Sequence, residues 1–272
     1  YGWVFGQIRV DPLDENRVYT LGLFLNVSDD GGKTFRVLHG MHMDHHGLWI
    51  DPHNSDYLLN VQDGGLAISY DRGENWKIPL RPLPLAQFYN VAFDMADPFR
   101  VYGSIQDHHS FYGKVDISHS RTKVPAVEFH RTLGAEGSSH AVDPRDNTIY
   151  ASSFYGNLQK SDFEGEEVES ILPEPLPGEP RLRGQWMAPT ILSPHNYDIV
   201  YHGMQFVLMS RDRGQTWDKI SPDLSYNDTE KRGDISYQTI TALSESPRRF
   251  GLLYAGTDDG PTWRTMNEGR TW

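Results

Sequence analysis

The sequence contains no cysteine, and this absence excludes several kinds of structure and chemistry. Without thiols the chain can form neither disulfides nor thiolate metal sites, and it cannot use a cysteine nucleophile. The compartment stays open, because a secreted bacterial domain of 272 residues can be held together by its hydrophobic core alone.

The sequence also lacks long apolar runs and basic clusters. No apolar stretch approaches the roughly 20 residues that a membrane-spanning helix needs, so we expect no direct membrane insertion. The formal net charge is −12, from 37 acidic and 25 basic residues, and no segment gathers lysine and arginine. Nucleic acid is therefore not an expected partner, since its affinity for proteins comes largely from neutralised phosphates.

Glycine and proline are plentiful, with 25 and 17 residues, which indicates many short strands joined by turns. One eight-residue pattern recurs: a small hydroxyl residue, any residue, Asp or Asn, any, Gly, any, Thr or Asn, and an aromatic. Its four copies, which we call corner motifs, are residues 28–35, 69–76, 210–217 and 265–272. Side-chain bonds to backbone amides and a positive φ at glycine predict a tight corner between antiparallel strands. We expect turn closure by Asp30, Asp71 and Asp212, and core packing by Phe35, Trp76 and Trp217.

A second repeated element is an apolar strand that ends in Asp-Pro or Ser-Pro and is followed by a strand containing tyrosine. The residues marking the first strand's end are Asp11, Asp51, Asp94, Asp143, Ser193 and Ser244, spaced by 40, 43, 49, 50 and 51 residues. A period of about 40 to 50 residues with four short strands per unit is typical of a β-propeller. The predicted fold class is therefore all-β: a propeller of four-stranded blades, with six repeats visible and six to eight blades in the complete ring.

The repeat resumes on both sides of the proline-rich spacer 173–180 and of the polar loop 222–233, so neither segment is expected to be a domain boundary. We expect residues 1–272 to form a single propeller domain or a fragment of one. The predicted blades are residues 2–40, 44–82, 86–132, 138–176, 186–222 and 236–272.

The corner motif resembles the Asp box of sialidases, of xyloglucanase-type glycoside hydrolases and of the sortilin propeller. Further segments resemble one group of bacterial Asp-box (BNR-repeat) proteins, commonly labelled sortilin-like or glycosyl hydrolase. These segments are residues 44–52, 63–65, 87–91, 102–107, 192–195, 221–224 and 254–260. The resemblance implies a propeller in a secreted, periplasmic or cell-surface bacterial protein, and it leaves open whether the chain is an enzyme.

In a propeller, the loop entering the first strand of a blade and the turn between its second and third strands emerge at one end of the channel, the channel pole. Ligand sites of propellers typically use this end. The leading interpretation is a binding or scaffold module that recognises a protein, peptide or glycan there, alone or within a larger assembly. The candidate ligand-binding residues are Trp3, His45, Asp63, Gln106, Glu136, Arg183, Trp186, Tyr237 and Asp258.

Two other interpretations of the pole stay open beside a purely structural role for its polar groups. A glycoside hydrolase needs two carboxyls roughly 5 to 9.5 Å apart, for which Asp44 and Asp107 are the candidates. Imidazole with carboxylate suits a transition metal, for which Asp44, His46 and His108 are the candidates, and carboxylates alone suit a structural calcium or other divalent ion. Because adjacent residues of a strand point to opposite faces, at most one of His45 and His46 should face the channel.

Overall fold

The computed structural model describes residues 6–78, 86–118, 120, 122, 127–163, 165, 167–175 and 178–272. The chain divides into two compact units, Tyr1–Leu85 and Ala86–Trp272. Within the described ranges the regular structure is β-strand, apart from one 3₁₀ turn at Thr229–Lys231. No helix in these ranges is long and apolar enough to cross a membrane. The predicted all-β class is confirmed.

The first unit contains two antiparallel sheets, blades 1 and 2, in which neighbours in sequence are neighbours in the sheet. Blade 1 consists of β1 (Gln7–Asp11), β2 (Asp14–Leu21), β3 (Leu25–Ser28) and β4 (Arg36–Val37). Blade 2 consists of β5 (His45–Asp51), β6 (Asn54–Gln62) and β7 (Gly65–Ser69), with a further bridge between Ile68 and Lys77.

The second unit contains blades 3 to 6, which have the same order of antiparallel strands. Blade 3 consists of β8 (Ala92–Phe93), β9 (Phe99–Ser104), β10 (Ser110–Val115) and β11 (Phe129–Arg131), and blade 4 of β12 (Ser139–Val142), β13 (Ile149–Ser153), β14 (Asn157–Ser161) and β15 (Glu169–Ser170). Blade 5 consists of β16 (Thr190–Leu192), β17 (Val200–Gly203), β18 (Val207–Ser210) and β19 (Asp218–Lys219), and blade 6 of β20 (Ile240–Glu245), β21 (Leu253–Thr257) and β22 (Thr262–Thr265). These are the blades of a β-propeller, as the repeat predicts. The single domain and the blade number of the complete ring stay predictions.

The hydrophobic core of each unit lies between consecutive blades. In the first unit, Tyr19 and Leu25 of blade 1 pack with Leu48 and Leu58 of blade 2. In the second unit, similar clusters join blade 3 to blade 4, blade 4 to blade 5, and blade 5 to blade 6. Because side chains alternate between the two faces of a strand, one sheet contributes to the cores on both of its sides.

The corner motifs of blades 1 and 5 connect the third and fourth strands, those of blades 2 and 6 follow the third strand, and their hydrogen bonds have the predicted form. In the motif of blade 5, Asp212 Oδ1 accepts the backbone N–H of Thr216 at 2.8 Å, and Ser210 Oγ accepts that of Gly214 at 2.7 Å. Hydrogen bonds led by the hydroxyl of Thr216 lower the pKa of Asp212 to about 2. Turn closure by Asp30, Asp71 and Asp212 is confirmed, and the motif glycines have positive φ at Gly32, Gly73, Gly214 and Gly269.

The predicted core role of Phe35 is wrong, because 47% of its surface is exposed. Trp76 and Trp217 are partly buried against core clusters, as expected. The indole N–H of Trp217 donates to the Ile171 carbonyl of the preceding blade at 2.7 Å, which holds the ring against that blade. Phenylalanine has no such donor, and among the described residues blade 1 has no preceding blade in its unit.

An arginine follows the aspartate in two corner motifs and reaches back to the preceding blade. Arg213 has a left-handed φ of 61° and donates to Asp146 at 2.7 Å, to Thr148 at 2.8 Å and to the buried Tyr150 hydroxyl at 3.4 Å. Arg72 has the same φ and lies 3.1 Å from the buried carboxylate of Asp11. We call this arrangement the interblade clamp, since it joins polar groups of consecutive blades.

The clamp predicts that Arg213→Ala lowers the free energy of unfolding by about 1 to 3 kcal/mol, because partly buried acceptors lose their donor. The matched control is Arg211→Ala, which removes an arginine bonded at 2.9 Å to Glu268 in an exposed pair, for a loss of about 0 to 1 kcal/mol. Urea denaturation followed by tryptophan fluorescence measures both losses. Equal losses in the two variants would contradict the clamp.

Candidate functional site

Two predicted ligand-binding residues of the second unit are engaged in internal bonds. The Asp258 carboxylate accepts the backbone N–H and the hydroxyl of Thr239, both at 2.9 Å. The Arg183 guanidinium lies 3.2 Å from the Asp223 carboxylate and donates to the Gln238 carbonyl at 2.9 Å. Both side chains therefore hold loop ends together.

Gln106, Asp107 and His108 form the turn between the second and third strands of blade 3. Asp107 has a left-handed φ of 59°, and its backbone N–H donates to the Glu136 carboxylate from the loop that enters blade 4. His108 Nδ1 lies 3.0 Å from the Gln106 carbonyl oxygen. Glu136 thus connects the entry of one blade to the turn of the preceding blade.

In the first unit, the pairing of β5 with β6 shifts register between His45 and Gly47, so His46 occupies an irregular position of the strand. His45 is buried with Nδ1 2.9 Å from Asn60 Oδ1, and burial lowers the pKa of its imidazole. His46 is exposed, with Nε2 2.6 Å from Asp63 Oδ1. Asp44 has a φ of 63°, and its backbone N–H donates to the Leu23 carbonyl at 3.1 Å.

The catalytic and metal-binding hypotheses each draw on both units. Asp44 lies in the first unit and Asp107 in the second, so the carboxyl pair stays a prediction. The metal candidates Asp44, His46 and His108 are divided in the same way, and the part of the chain that the structure describes contains no group of three or more His, Cys, Asp or Glu able to hold a metal ion. Trp3 lies outside the described residues.

An exposed pair of aromatic residues occupies the turn between β13 and β14. Phe154, Tyr155 and Gly156 have left-handed φ values of 25°, 64° and 87°, which is unusual for bulky side chains. We call this segment the aromatic turn. The predicted site residue Trp186 lies edge-on to both rings, with centroids 4.8 Å from Phe154 and 5.3 Å from Tyr155. Phe154 and Tyr155 remain 40% and 41% exposed.

Three residues pack beneath the aromatic turn. A side chain at Gly156 would collide with the thioether of Met204, and one at Gly184 would collide with the Tyr155 carbonyl. His202 is fully buried, with Nε2 3.1 Å from the Gly156 carbonyl oxygen and Nδ1 2.8 Å from Thr190 Oγ1. Burial lowers the pKa of His202 to about 4, although bonds to the Gly156 and Pro189 carbonyls oppose this shift.

A cleft of about 1080 Å³ opens beside the aromatic turn. One wall is formed by Phe154 and Tyr155, and another by the described part of the proline-rich spacer with the residues that follow it. The loop before blade 6 supplies the remaining wall through Arg232, Asp234 and Ser236. Tyr237, a predicted ligand-binding residue, follows this loop and is partly buried.

Sequence reasoning missed Phe154 and Tyr155, although a signal for them exists. The corresponding turn contains Asp63-Gly64 in blade 2 and Asp258-Asp259-Gly260 in blade 6. Blade 4 has Phe-Tyr-Gly in its place, and because blades 1 and 5 carry a single aromatic there, Phe24 and Phe206, the distinguishing signal is the adjacent aromatic pair. Trp186 is the predicted site residue that the structure brings next to them.

No family model and no curated protein matches the sequence. Among solved structures, the GH74 xyloglucanase from Xanthomonas campestris is 18% identical over 97% of this chain and 45% of that one, with a TM-score of 0.45. A GH74 enzyme from Niastella koreensis is 16% identical over the same shares, with a TM-score of 0.42. YCF48 bound to D1 peptide is 15% identical over 97% of this chain and 94% of that one, with a TM-score of 0.39. The chain spans less than half the length of the two GH74 enzymes, and similarity this low identifies no function.

The lowered pKa of His202 predicts that acid destabilises the protein. Its imidazole takes up a proton near pH 6.5 when unfolded but only near pH 4 when folded, so the unfolded chain gains protons first as pH falls. The stability that neutral His202 contributes is therefore fully present above about pH 6.5 and is lost towards pH 4. The free energy of unfolding should fall by about 2 kcal/mol between pH 7 and pH 5.

Urea denaturation at these two pH values measures this loss, and His202→Gln removes the titrating group as a control. A wild-type and a variant protein with the same pH dependence would contradict the prediction.

Proposed function

We propose that the chain is a binding module that recognises a protein, peptide or glycan through the aromatic turn and the cleft beside it. The observation that carries this proposal is the left-handed backbone of Phe154 and Tyr155. Bulky residues in this conformation cost of the order of 1 to 3 kcal/mol each, whereas glycine or asparagine would relieve most of the strain. Strain of this kind is concentrated at functional sites, and here it presents two rings to the cleft.

The packing of the rings supports a role in binding. Tyrosine and phenylalanine offer a large contact area for few rotatable bonds, and such rings are frequent anchors of interfaces. Trp186 contacts both rings edge-on, which restricts their motion before a ligand arrives. A ligand that meets oriented rings loses less entropy on binding.

The charges around the cleft favour a ligand of low net charge. Arg181 and Arg232 on its walls are balanced by Glu174 and Asp234. The further guanidinium, that of Arg183, is already paired with the Asp223 carboxylate. A polyanion or polycation would meet like charges in this cleft, so we expect binding to depend weakly on ionic strength.

Of the three interpretations, a binding role needs the fewest residues of a particular type at the channel pole, since it requires neither a carboxyl pair nor metal ligands. Glu136, Arg183 and Asp258 are hydrogen-bonded to the protein itself and serve the scaffold. We further propose, from the resemblance to bacterial Asp-box proteins, that the module is exported to the periplasm, the cell surface or the medium. It acts there alone or as a subunit of a larger assembly.

The proposal predicts that Phe154→Gly/Tyr155→Gly weakens binding at least about tenfold while leaving the fold intact, because loss of an aromatic anchor costs about 2 kcal/mol or more. Glycine also relieves the left-handed strain, so the free energy of unfolding should fall by less than the free energy of binding does. Ligands selected from a peptide-display library and an oligosaccharide array serve as probes, with affinity measured by calorimetry.

The matched control is Tyr226→Ala, which removes a tyrosine that is 72% exposed and does not line the cleft. Equal affinities for the double variant and the wild type would overturn the proposal. Turnover of an oligosaccharide that is lost in Asp44→Asn and Asp107→Asn would replace it with the hydrolase interpretation.

A further inference from the structure

His202 is the buried polar side chain that contacts the aromatic turn from below. It lies on β17 of blade 5, whereas the turn belongs to blade 4, so the contact crosses between blades. Its Nε2 is 3.1 Å from the Gly156 carbonyl oxygen, and its Nδ1 is 2.8 Å from Thr190 Oγ1. The imidazole is 0% exposed, so water does not replace either partner.

The partners of His202 determine which ring nitrogen carries the proton. A backbone carbonyl can only accept, so the bond to Gly156 requires hydrogen on Nε2. In a neutral imidazole Nδ1 is then an acceptor, and the Thr190 hydroxyl, which can donate, meets this need. One tautomer therefore satisfies both contacts, whereas the other would place a lone pair against the Gly156 oxygen. The Pro189 carbonyl, which also approaches the imidazole, already accepts the backbone N–H of Gly203 at 2.9 Å and needs no proton from His202.

We propose that His202 is a positioning residue: through Nε2–H it holds the Gly156 carbonyl and thereby keeps Phe154 and Tyr155 in the left-handed conformation that presents their rings to the cleft. The ligand-binding consequence rests on the proposed function, but the hold on the turn does not. Contact with Met204 and Gly184 limits where the turn can pack, and the directional bond from His202 selects the orientation of its last peptide group.

Two substitutions distinguish the effect of the hydrogen bond to Gly156 from the effect of side-chain packing at His202. His202→Gln places an amide N–H near the position of Nε2 and keeps a donor for Gly156. His202→Asn reaches only as far as Nδ1, so it retains the partner of Thr190 and leaves the Gly156 carbonyl without a donor. Both replace a buried ring with a smaller amide, so a role in packing alone predicts similar effects.

Limited proteolysis with chymotrypsin measures how well the aromatic turn is held, and it needs no ligand, because Phe154 and Tyr155 precede potential cleavage sites. We expect cleavage there to rise about tenfold in His202→Asn, as for a lost buried hydrogen bond, and to stay near wild type in His202→Gln. Cleavage after Tyr226 in the same digest is the internal control. Equal increases at the turn in both variants would overturn the proposal.

A second measurement uses the wild-type protein and does not require a variant to fold well. Nitrogen-15 NMR of labelled histidine distinguishes the two tautomers, and His202→Gln identifies the His202 signals among the 12 histidines. Protonated Nε2 with unprotonated Nδ1 supports the proposal, and the reverse overturns it.

The binding probes separate this inference from the proposed function. If His202→Asn loosens the turn and a selected ligand binds about tenfold more weakly, both stand. If the turn loosens without loss of binding, His202 positions the turn but the ligand binds elsewhere, and the proposed function fails alone. If the turn stays resistant to proteolysis, the positioning role fails alone.

Discussion

A phenol buried between two blades must find a hydrogen-bond partner, and this requirement governs how consecutive blades meet. The second strand of four blades carries a buried tyrosine: Tyr19, Tyr102, Tyr150 and Tyr201. The hydroxyl of Tyr102 donates to Asp94 at 2.9 Å, and that of Tyr201 donates to Glu245 of the next blade at 3.3 Å. Burial raises the pKa of both hydroxyls, so they stay protonated donors. The Tyr102–Asp94 bond lies within blade 3, whereas a small rotation between blades 5 and 6 would break the Tyr201–Glu245 bond inside the core, where the loss is costly.

All of these bonds lie at one end of the strands. In an antiparallel blade, the beginning of the second strand and the end of the third strand share an end, as the pairing of Val200 with Ser210 shows. The interblade clamp therefore stabilises the end that carries the corner motifs. The opposite end carries the turn between the second and third strands, which the clamp does not constrain. At this end blade 4 has Phe154 and Tyr155, where blades 2 and 6 have aspartate and glycine.

The fold could be predicted because its signals are local. A corner motif contains the groups that make its own turn, so Ser210, Asp212 and Gly214 identify a strand connection without knowledge of the remaining chain. The role of Phe35 could not be read in this way, because burial of the motif's aromatic depends on packing against a preceding blade, and among the described residues blade 1 has none in its unit.

The candidate site depends on contacts that the sequence does not encode locally. Asp258, Glu136 and Arg183 have the residue types of a binding site, but their partners come from other loops and bind them to the scaffold. Whether a carboxylate faces a ligand or a backbone amide is decided by three-dimensional packing. The aromatic turn was missed for a related reason, since its importance lies in a φ value that sequence periodicity does not report.

Close packing of its backbone on neighbouring residues maintains the strained conformation of the aromatic turn, as hydrogen bonding does. Gly156 and Gly184 lie where a Cβ atom would collide with Met204 or with the Tyr155 carbonyl, so the backbone of the turn packs directly onto its neighbours. An ordinary turn would move away from such contacts, but the strands on either side fix its ends through the pairing of Ser153 with Asn157. The turn can therefore relax only by rotating its peptide groups, and the rotation of the last one is opposed by the bond from His202. Rings fixed in this manner would lose little freedom when a ligand covers them, which is the physical basis of the binding role proposed for the aromatic turn.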